Sequence, residues 1–361
     1  MIPVIMDQFT ILLINILLNF AVYLIVTLSL NLEVGYLGLP QFGRVLTVLI
    51  GAVVAGGISG RIIACSLGFP CGVEYTGYEN YRMVSEISNI IARNPLLSIS
   101  YLFITLVLAA LLGGLIGYIS AYPAIRLREA YLGITLLAFG DIAQVIAWNY
   151  EPLAGGTTGV LVIDPFRFLG EYRFLGATLI ILAIALVVYL YVELLTRSPY
   201  GRTLRSIRDA EVAASVYGKS IVKTRTYTLI IGGALSAVGG ALWSMYTGSF
   251  KAITYTRLTW TFWPWAYMML GGTGNNLGVL IGVLIFSIAR TLIIVYKQEI
   301  SVYTRISPEW LEYILVGLVI ILIVLLRPQG IIPEKPVRTL SHKEIVRVMN
   351  LSSDNSERRE K

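Results

Sequence analysis

Five stretches without one charged residue decide what this chain can become: Phe9 to Leu32, Leu96 to Ile125, Phe174 to Val192, Thr226 to Phe250 and Leu258 to Ala289. Each exceeds the roughly 18 apolar residues that mark a bilayer-spanning helix. Shorter candidates are Val45 to Gly60, Ala130 to Tyr150 (interrupted by Asp141) and Tyr313 to Leu326. Only 14% of the 361 residues are charged, against about 25% in soluble domains, and mean hydropathy is +0.75. The expected fold is all-α: a polytopic transmembrane helix bundle of about eight to ten segments, one or two of them broken or re-entrant. It occupies residues 1–333, and residues 334–361 form a charged tail expected to be mobile. The first run is too long for a signal-peptide core and no small-residue cleavage site follows it, so it is expected to stay as an anchor.

The net charge of +7 is concentrated in a few places. Residues 196–225 carry Arg197, Arg202, Arg205, Arg208, Lys219, Lys223 and Arg225 against Asp209 and Glu211. The turn PAIRLREA adds Arg126 and Arg128, and the carboxy-terminal part adds Arg327, Lys335, Arg338, Lys343 and Arg347. The positive-inside rule puts these segments, and the carboxyl terminus, in the cytoplasm of a multi-pass plasma-membrane protein. The basic balance then reports topology and contact with membrane lipids, and gives no support to nucleic-acid binding. Residues 61–95 and 151–173 are charge-balanced or acidic and belong outside. Parity requires Leu258 to Tyr296 to cross an even number of times. Its break, GGTGNN at Gly271–Asn276, implies two helices with the first short, or a re-entrant hairpin.

A second break lies in NLEVGYLGLPQFGR, Asn31 to Arg44, flanked by Glu33 and Arg44. Paired glycine-interrupted segments in two halves of a carrier mark a substrate path, which makes Gly35, Gly38, Arg44, Gly271, Gly272 and Gly274 path candidates. Close helix packing through glycine is an equal alternative. Either reading of the first break leaves the side of the amino terminus open.

Catalytic chemistry finds no footing. The single histidine, His342, falls in the tail, so neither a Ser/His dyad nor a His-bearing zinc site can form within the bilayer. No catalytic residue, metal ligand set or cofactor is expected. GKS at Gly218–Ser220 resembles the end of a phosphate-binding loop, but the required earlier glycine is Ala213, and a basic polar segment precedes it rather than a buried strand. Asp141 and Arg290 are the main intramembrane charges, expected to face the bundle interior and bond to backbone or each other, with Asp141 also a path candidate. Cys65 and Cys71, in CSLGFPC, are compatible with a disulfide or with two free thiols.

From Asn31 onward the sequence resembles the LivM-type permease subunits of branched-chain amino acid ABC importers. The pieces that carry the resemblance, in order, are LNLEVGYLGLPQFG, PAIRLREAYLGITLLAFGDI, AGGTTGV, SPYGRTLRSIRDAEVAASVYG, LSAVGGALWSMYTGSF, MMLGGTGNNLGVLIG and RPQGIIP. The resemblance implies that residues 196–225 form the cytoplasmic loop that engages separate ABC ATPase subunits, where ATP is bound. Ala213, Ala214 and Gly218 keep the spacing of the EAA-type loop, while its acid, Glu211, stands one residue early. A helix near Ala210–Tyr217 would dock in a groove, ended by Gly218 with positive φ, and Arg205, Arg208, Asp209 and Glu211 would orient it through rim ion pairs. The implied partners are the ATPases, a second homologous permease or a copy of this chain, and an extracytoplasmic substrate-binding protein. The family also carries urea, short amides and other hydrophobic compounds, and an ion-coupled secondary carrier is the rival outside it. Two departures stand out: Arg44, where the family has a His or another uncharged residue, and the aromatic run Thr259–Tyr267, expected as an interfacial belt or a narrowed outer vestibule.

Overall fold

The computed structural model describes residues 8–127, 129–296 and 308–334. Arg128, the connection at 297–307 and the tail from Lys335, with Arg338, His342, Lys343 and Arg347, lie outside those residues.

Among the described residues, seven helices are long and apolar enough to cross a membrane. They are α1 (Gln8–Tyr36), α2 (Arg44–Ser66), α4 (Pro95–Arg126), α5 (Glu129–Asn149), α6 (Arg173–Arg197), α9 (Ile221–Thr247) and α11 (Asn276–Val295). The shorter α10 (Trp263–Gly271), entered through a π turn at Leu258–Phe262, and α12 (Pro308–Leu326) bring the traverses within the expected range. Between them lie three surface helices: α3 (Asn80–Ala92), α7 (Pro199–Asp209) and α8 (Glu211–Val216). The only β structure described is one antiparallel pair, β1 (Val160–Leu161) with β2 (Ser249–Phe250). An α-helix satisfies its backbone internally, which is why runs without charge become helices here.

Helix position follows composition. α2 and α9, rich in Gly, Ala, Ser and Thr, are 72% and 67% buried and form the centre with the second half of α1, whereas α4 and α5 are 33% and 28% buried. The outer helices turn Phe103, Leu111, Ile134, Val187 and Leu194 outward, the apolar surface that lipid tails accept. Small residues let the central backbones meet. A side chain on Gly113 of α4 would run into Ala237 and the Gly233 carbonyl of α9, and one on Gly117 into Leu229 of α9.

The short helix bears on the parity of crossings. Leu258–Gly271 holds 14 helical residues, about 21 Å at 1.5 Å per residue, against a hydrocarbon thickness of about 30 Å. It follows the segment Lys251–Arg257, which joins it to β2; there Ala252 and Tyr255 are buried and Gln144 donates to the Ala252 carbonyl at 3.3 Å, while Lys251, Ile253, Thr254 and Arg257 are exposed. At its other end α10 stops at Gly272, beside α7. It is the first of two antiparallel helices rather than a hairpin returning to its own side.

The end of α1 places the amino-terminal part relative to α7. Tyr36 lies under the Arg205 guanidinium of α7, 5.1 Å from ring centroid to Cζ. Gln8 therefore lies on the opposite face, with α3 and residues 150–172. There Cys65 and Cys71 are bonded to each other. Arg61 reaches the Pro152 carbonyl, and Asp164 pairs with Arg173. Of the two arrangements expected for the aromatic run, the interfacial belt is not the one found. Trp260, Trp263 and Tyr267 are buried and stack in the bundle with Tyr23, Tyr255 and Phe286. Their spacing of three to four residues gives them one helical face toward α1 and α11, and so they form no interfacial belt.

Replacing Gly113 by Leu should lower the thermal unfolding midpoint of the detergent-purified chain by at least about 3 °C, since overpacking a close contact costs about 1–3 kcal/mol. An unchanged midpoint would show that α4 and α9 do not pack through this glycine.

Candidate functional site

Two neighbouring polar clusters lie at the end of the bundle that carries α7 and α8. The deeper one contains Glu33, on the π turn Leu32–Tyr36, and Arg44, the first residue of α2. They form an ion pair with side chains 1% and 0% exposed. Arg44 Nη1 also donates to the Gly232 carbonyl at 3.1 Å and to Ser236 Oγ at 3.2 Å, and Ser236 meets Thr47 at 2.6 Å. Any side chain at Gly232 would strike the Glu33 carboxylate. The departure from the family pattern at Arg44 is thus matched by an internal acid.

The second cluster joins both sequence breaks to the connector. Asn31 spans the gap: its Nδ2 donates to Asn276 Oδ1 at 3.0 Å, and its Oδ1 accepts from Gly274 N at 2.9 Å. Asn276 continues to Glu193 Oε2 at 2.8 Å and Thr196 Oγ1 at 2.9 Å, on the last turn of α6. Gly35 and Gly274 are in near backbone contact, and a Cβ on Gly35 would collide with Asn31 and with Gly274 N. Arg208 of α7 reaches into this junction and donates to the Gly35 carbonyl at 2.5 Å, with its stem against Gly38. Gly38 has φ +77°, which a side chain would strain even without that contact.

The structure therefore brings Gly35, Gly38, Gly271, Gly272 and Gly274 to one junction with Arg205 and Arg208. The two sets of residues singled out from sequence are neighbours. Asp141 stands apart. Its side chain is 38% exposed and pairs with Arg257 at 3.3 Å. Arg290, instead of meeting Asp141, donates to the Tyr23 hydroxyl at 2.7 Å and lies over Trp263. Of the two outcomes expected for these charges, bonding to backbone or to each other, the second is not the one found: Asp141 meets Arg257 and Arg290 meets Tyr23.

The connector is built as a helix pair. Ser198 caps α7 by accepting from Tyr200 N at 3.1 Å, Pro199 fits the first turn, and Leu204 and Ile207 bury its inner face. The chain leaves helical geometry at Ala210, where the sequence predicted helix, and resumes as α8. Ala214 is buried and Ala213 exposed, while Gly218 has φ +75° as expected. GKS is preceded by helix α8, where a phosphate loop has a strand.

The ion pairs of the connector join residues of this chain to one another. Glu211 pairs with Arg225 at 2.9 Å, Asp209 with Arg208 at 3.0 Å, and Arg205 and Arg208 with Glu334 at 3.1 and 2.8 Å. Burial alone would lower the Arg208 pKa, but Asp209 and Glu334 raise it above the ordinary arginine value, so the group stays charged. Glu334, the first residue of the expected tail, is docked on α7.

Val212 and Val216 of α8, and Tyr217 just past its end, are 79%, 80% and 84% exposed. Sequence reasoning missed them, although the i, i+4 spacing of the two valines in a charged loop was a usable signal.

The family description "Branched-chain amino acid transport system / permease component" matches residues 12–324. Over 340 residues the chain is 41% identical to the probable branched-chain amino acid transport permease protein LivM of Methanocaldococcus jannaschii, spanning 93% of this chain and 97% of that protein. It is 24% identical over 251 residues to the high-affinity branched-chain amino acid transport system permease protein LivM of Escherichia coli, 63% of this chain and 56% of the relative. The probable permease protein LivH of M. jannaschii is 29% identical over 211 residues, 56% of this chain and 64% of that one. No solved structure is a significant match.

Arg44→Met should destabilise the purified chain by about 3–5 kcal/mol, because it strands the buried Glu33 carboxylate. Adding Glu33→Leu should recover most of the loss, as read from unfolding midpoints. Equal midpoints for the single variant and the parent would mean the pair is not buried.

Proposed function

This chain belongs to the family of branched-chain amino acid transport permeases, and we propose that it is the membrane-spanning subunit of an ATP-driven importer for branched-chain or other hydrophobic amino acids. The observation that carries this reading is the apolar face of α8. Val212 and Val216 stand outward on a helix six residues long, and Tyr217 just past its end, where nothing in a lone chain rewards their exposure. A patch of this kind fits a groove in a separate protein, with the apolar anchors supplying affinity. That protein is an ABC ATPase subunit, which binds the nucleotide.

In this reading α7 and α8 face the cytoplasm, in keeping with the basic bias of residues 196–225, and Glu334 and the carboxyl terminus share that side. Gln8, the Cys65–Cys71 bridge and the loops at residues 67–94 and 150–172 face outward, toward an extracytoplasmic binding protein. A second permease, homologous or identical, completes the enclosure of the path. The relatives include both LivM and LivH proteins, which suits a pair of unlike subunits. ATP-driven closure of the motor subunits shifts α7 and α8 as a rigid body and switches the bundle between outward and inward openings. Substrate passes without chemical change.

Co-expression with the cognate ATPases and uptake of labelled leucine by reconstituted vesicles test the proposal: uptake should need ATP and survive an ionophore. Uptake that collapses with the ionophore and ignores ATP would identify an ion-coupled carrier instead. Val212→Asp with Val216→Asp should leave membrane insertion intact and weaken ATPase co-purification by roughly 30-fold, the loss typical of a hot spot. Gly218→Val should insert normally yet uncouple hydrolysis from uptake, since valine resists φ near +75°. Normal ATP-driven uptake by that variant would remove the docking loop from the mechanism.

A further inference from the structure

The segment after α12 reads RPQGIIPE, Arg327 to Glu334. It turns back at Gly330, whose N–H donates to the Arg327 carbonyl at 2.9 Å. The backbone then lies along the end of the short helix α10. Ile331 N donates to the Leu270 carbonyl and Ile332 N to the Gly271 carbonyl, both at 2.9 Å. A helix ends with carbonyls that its own backbone cannot satisfy. At α10 the chain turns away at Gly272, and a segment from the far end of the sequence supplies the donors. Asn275 Nδ2 adds a bond to the Pro333 carbonyl at 3.1 Å. The fit is close: a side chain on Gly272 would strike the Ile332 carbonyl, and one on Gly278 would press on it.

The last residue of this strap meets the connector. The Glu334 carboxylate pairs with Arg205 Nε at 3.1 Å and Arg208 Nη2 at 2.8 Å, all three side chains being only about a quarter exposed, at 26%, 26% and 24%. Pairs this shielded are screened by salt far less than the surface pair Arg82–Glu86, exposed by 81% and 47%. Arg208 also holds the Gly35 carbonyl at the end of α1. The strap is thus fastened by backbone bonds to α10 and by charge to α7.

We propose that Glu334 is a positioning residue of the coupling machinery: it ties the strap Arg327–Glu334 to α7, so that a displacement of α7 reaches the cytoplasmic end of α10. This rests on the proposed function, in which a motor moves α7 and α8. Covalent continuity takes that motion only to α6 and α9. The half-helix α10 is more than forty residues further along the chain, and the strap gives it a separate link to the connector.

The test has an arm that needs no motor. In the purified chain in lipid nanodiscs, Glu334→Gln should speed amide hydrogen exchange at Ile331 and Ile332 by about fivefold or more, while Glu334→Asp keeps the protection. Unchanged exchange in the Gln variant would overturn the tie. In the reconstituted importer Glu334→Gln should cut substrate-stimulated ATP hydrolysis by about fivefold or more, with basal hydrolysis, KM for ATP and subunit assembly unchanged. Arg205→Cys with Glu334→Cys should lose coupling and regain it when a short bis-thiol reagent bridges the two positions. A merely structural side chain would not be replaced by such a bridge. Full coupling in the Gln variant, or no recovery on bridging, would overturn the proposal. A parent complex that transports without ATP would instead refute the proposed function, and the exchange result would still decide whether the strap is tied.

Discussion

In an apolar medium no water is at hand for a backbone N–H or C=O that leaves its helix, so every interruption must be satisfied by the protein itself. The chain interrupts its helices within the bundle at residues 37–43 and 272–275, and both breaks are furnished with partners. Gly43 N donates to Gln41 Oε1, the Gln41 carbonyl accepts from Trp265 Nε1, and Val45 N donates to Thr261 Oγ1. Asn31 with Asn275 serves the second. Breaks so dependent on neighbours cannot scatter. The two share one pocket of polar side chains, and that pocket lies under α7.

Much of the helix inventory could be read from sequence because it depends on a one-dimensional quantity, the length of chain without charge. The interruption between Gly271 and Asn276 was also legible, from glycine and asparagine together with the parity of crossings. Partnerships were not. Asn31 and Gly274 are 243 positions apart, and the Glu334 tie to Arg208 closes a loop of more than a hundred residues. No periodicity marks either. Asp141 illustrates the same limit: a carboxylate in an apolar run predicts that a partner exists, yet nothing local says it is Arg257. The run TWTFWPWAY shows the limit in another way. Aromatic density alone leaves a belt and a narrowed vestibule both open, and only the fold shows that Trp260, Trp263 and Tyr267 pack inward on Tyr23 and Phe286.

The two charge clusters near the junction are separated by little distance but differ in physical character. Glu33 and Arg44 are sealed, and their attraction is set against the large cost of removing both from water. Such a pair is weak grounds for stability and better grounds for register: with Gly232 and Ser236 it admits one arrangement of α1, α2 and α9. The pairs of Glu334 keep partial contact with water. They can part and re-form at modest cost, as a contact between elements that shift must.

This difference bears on which parts of the bundle can move. α4 and α9 approach through Gly113, Gly117 and Gly233 with backbone against backbone, and packed surfaces of that kind do not slide in small steps. α2 is locked to α9 by Arg44. The half-helix α10 is packed closely along its length as well: a Cβ on Gly278 would meet the Gly271 carbonyl and one on Gly282 the Tyr267 carbonyl, and Trp260, Trp263 and Tyr267 are buried against Tyr23 and Phe286. Its Gly271 end differs, because there the chain leaves the helix and the strap supplies two backbone hydrogen bonds. A force on α7 therefore meets packed helix faces in α2, α4, α9 and α10, and non-helical backbone at the break beside Gly272. In hinge-type transitions a few residues at the ends of elements take up the displacement. On that reasoning the break at Gly271–Asn276 is where this bundle yields.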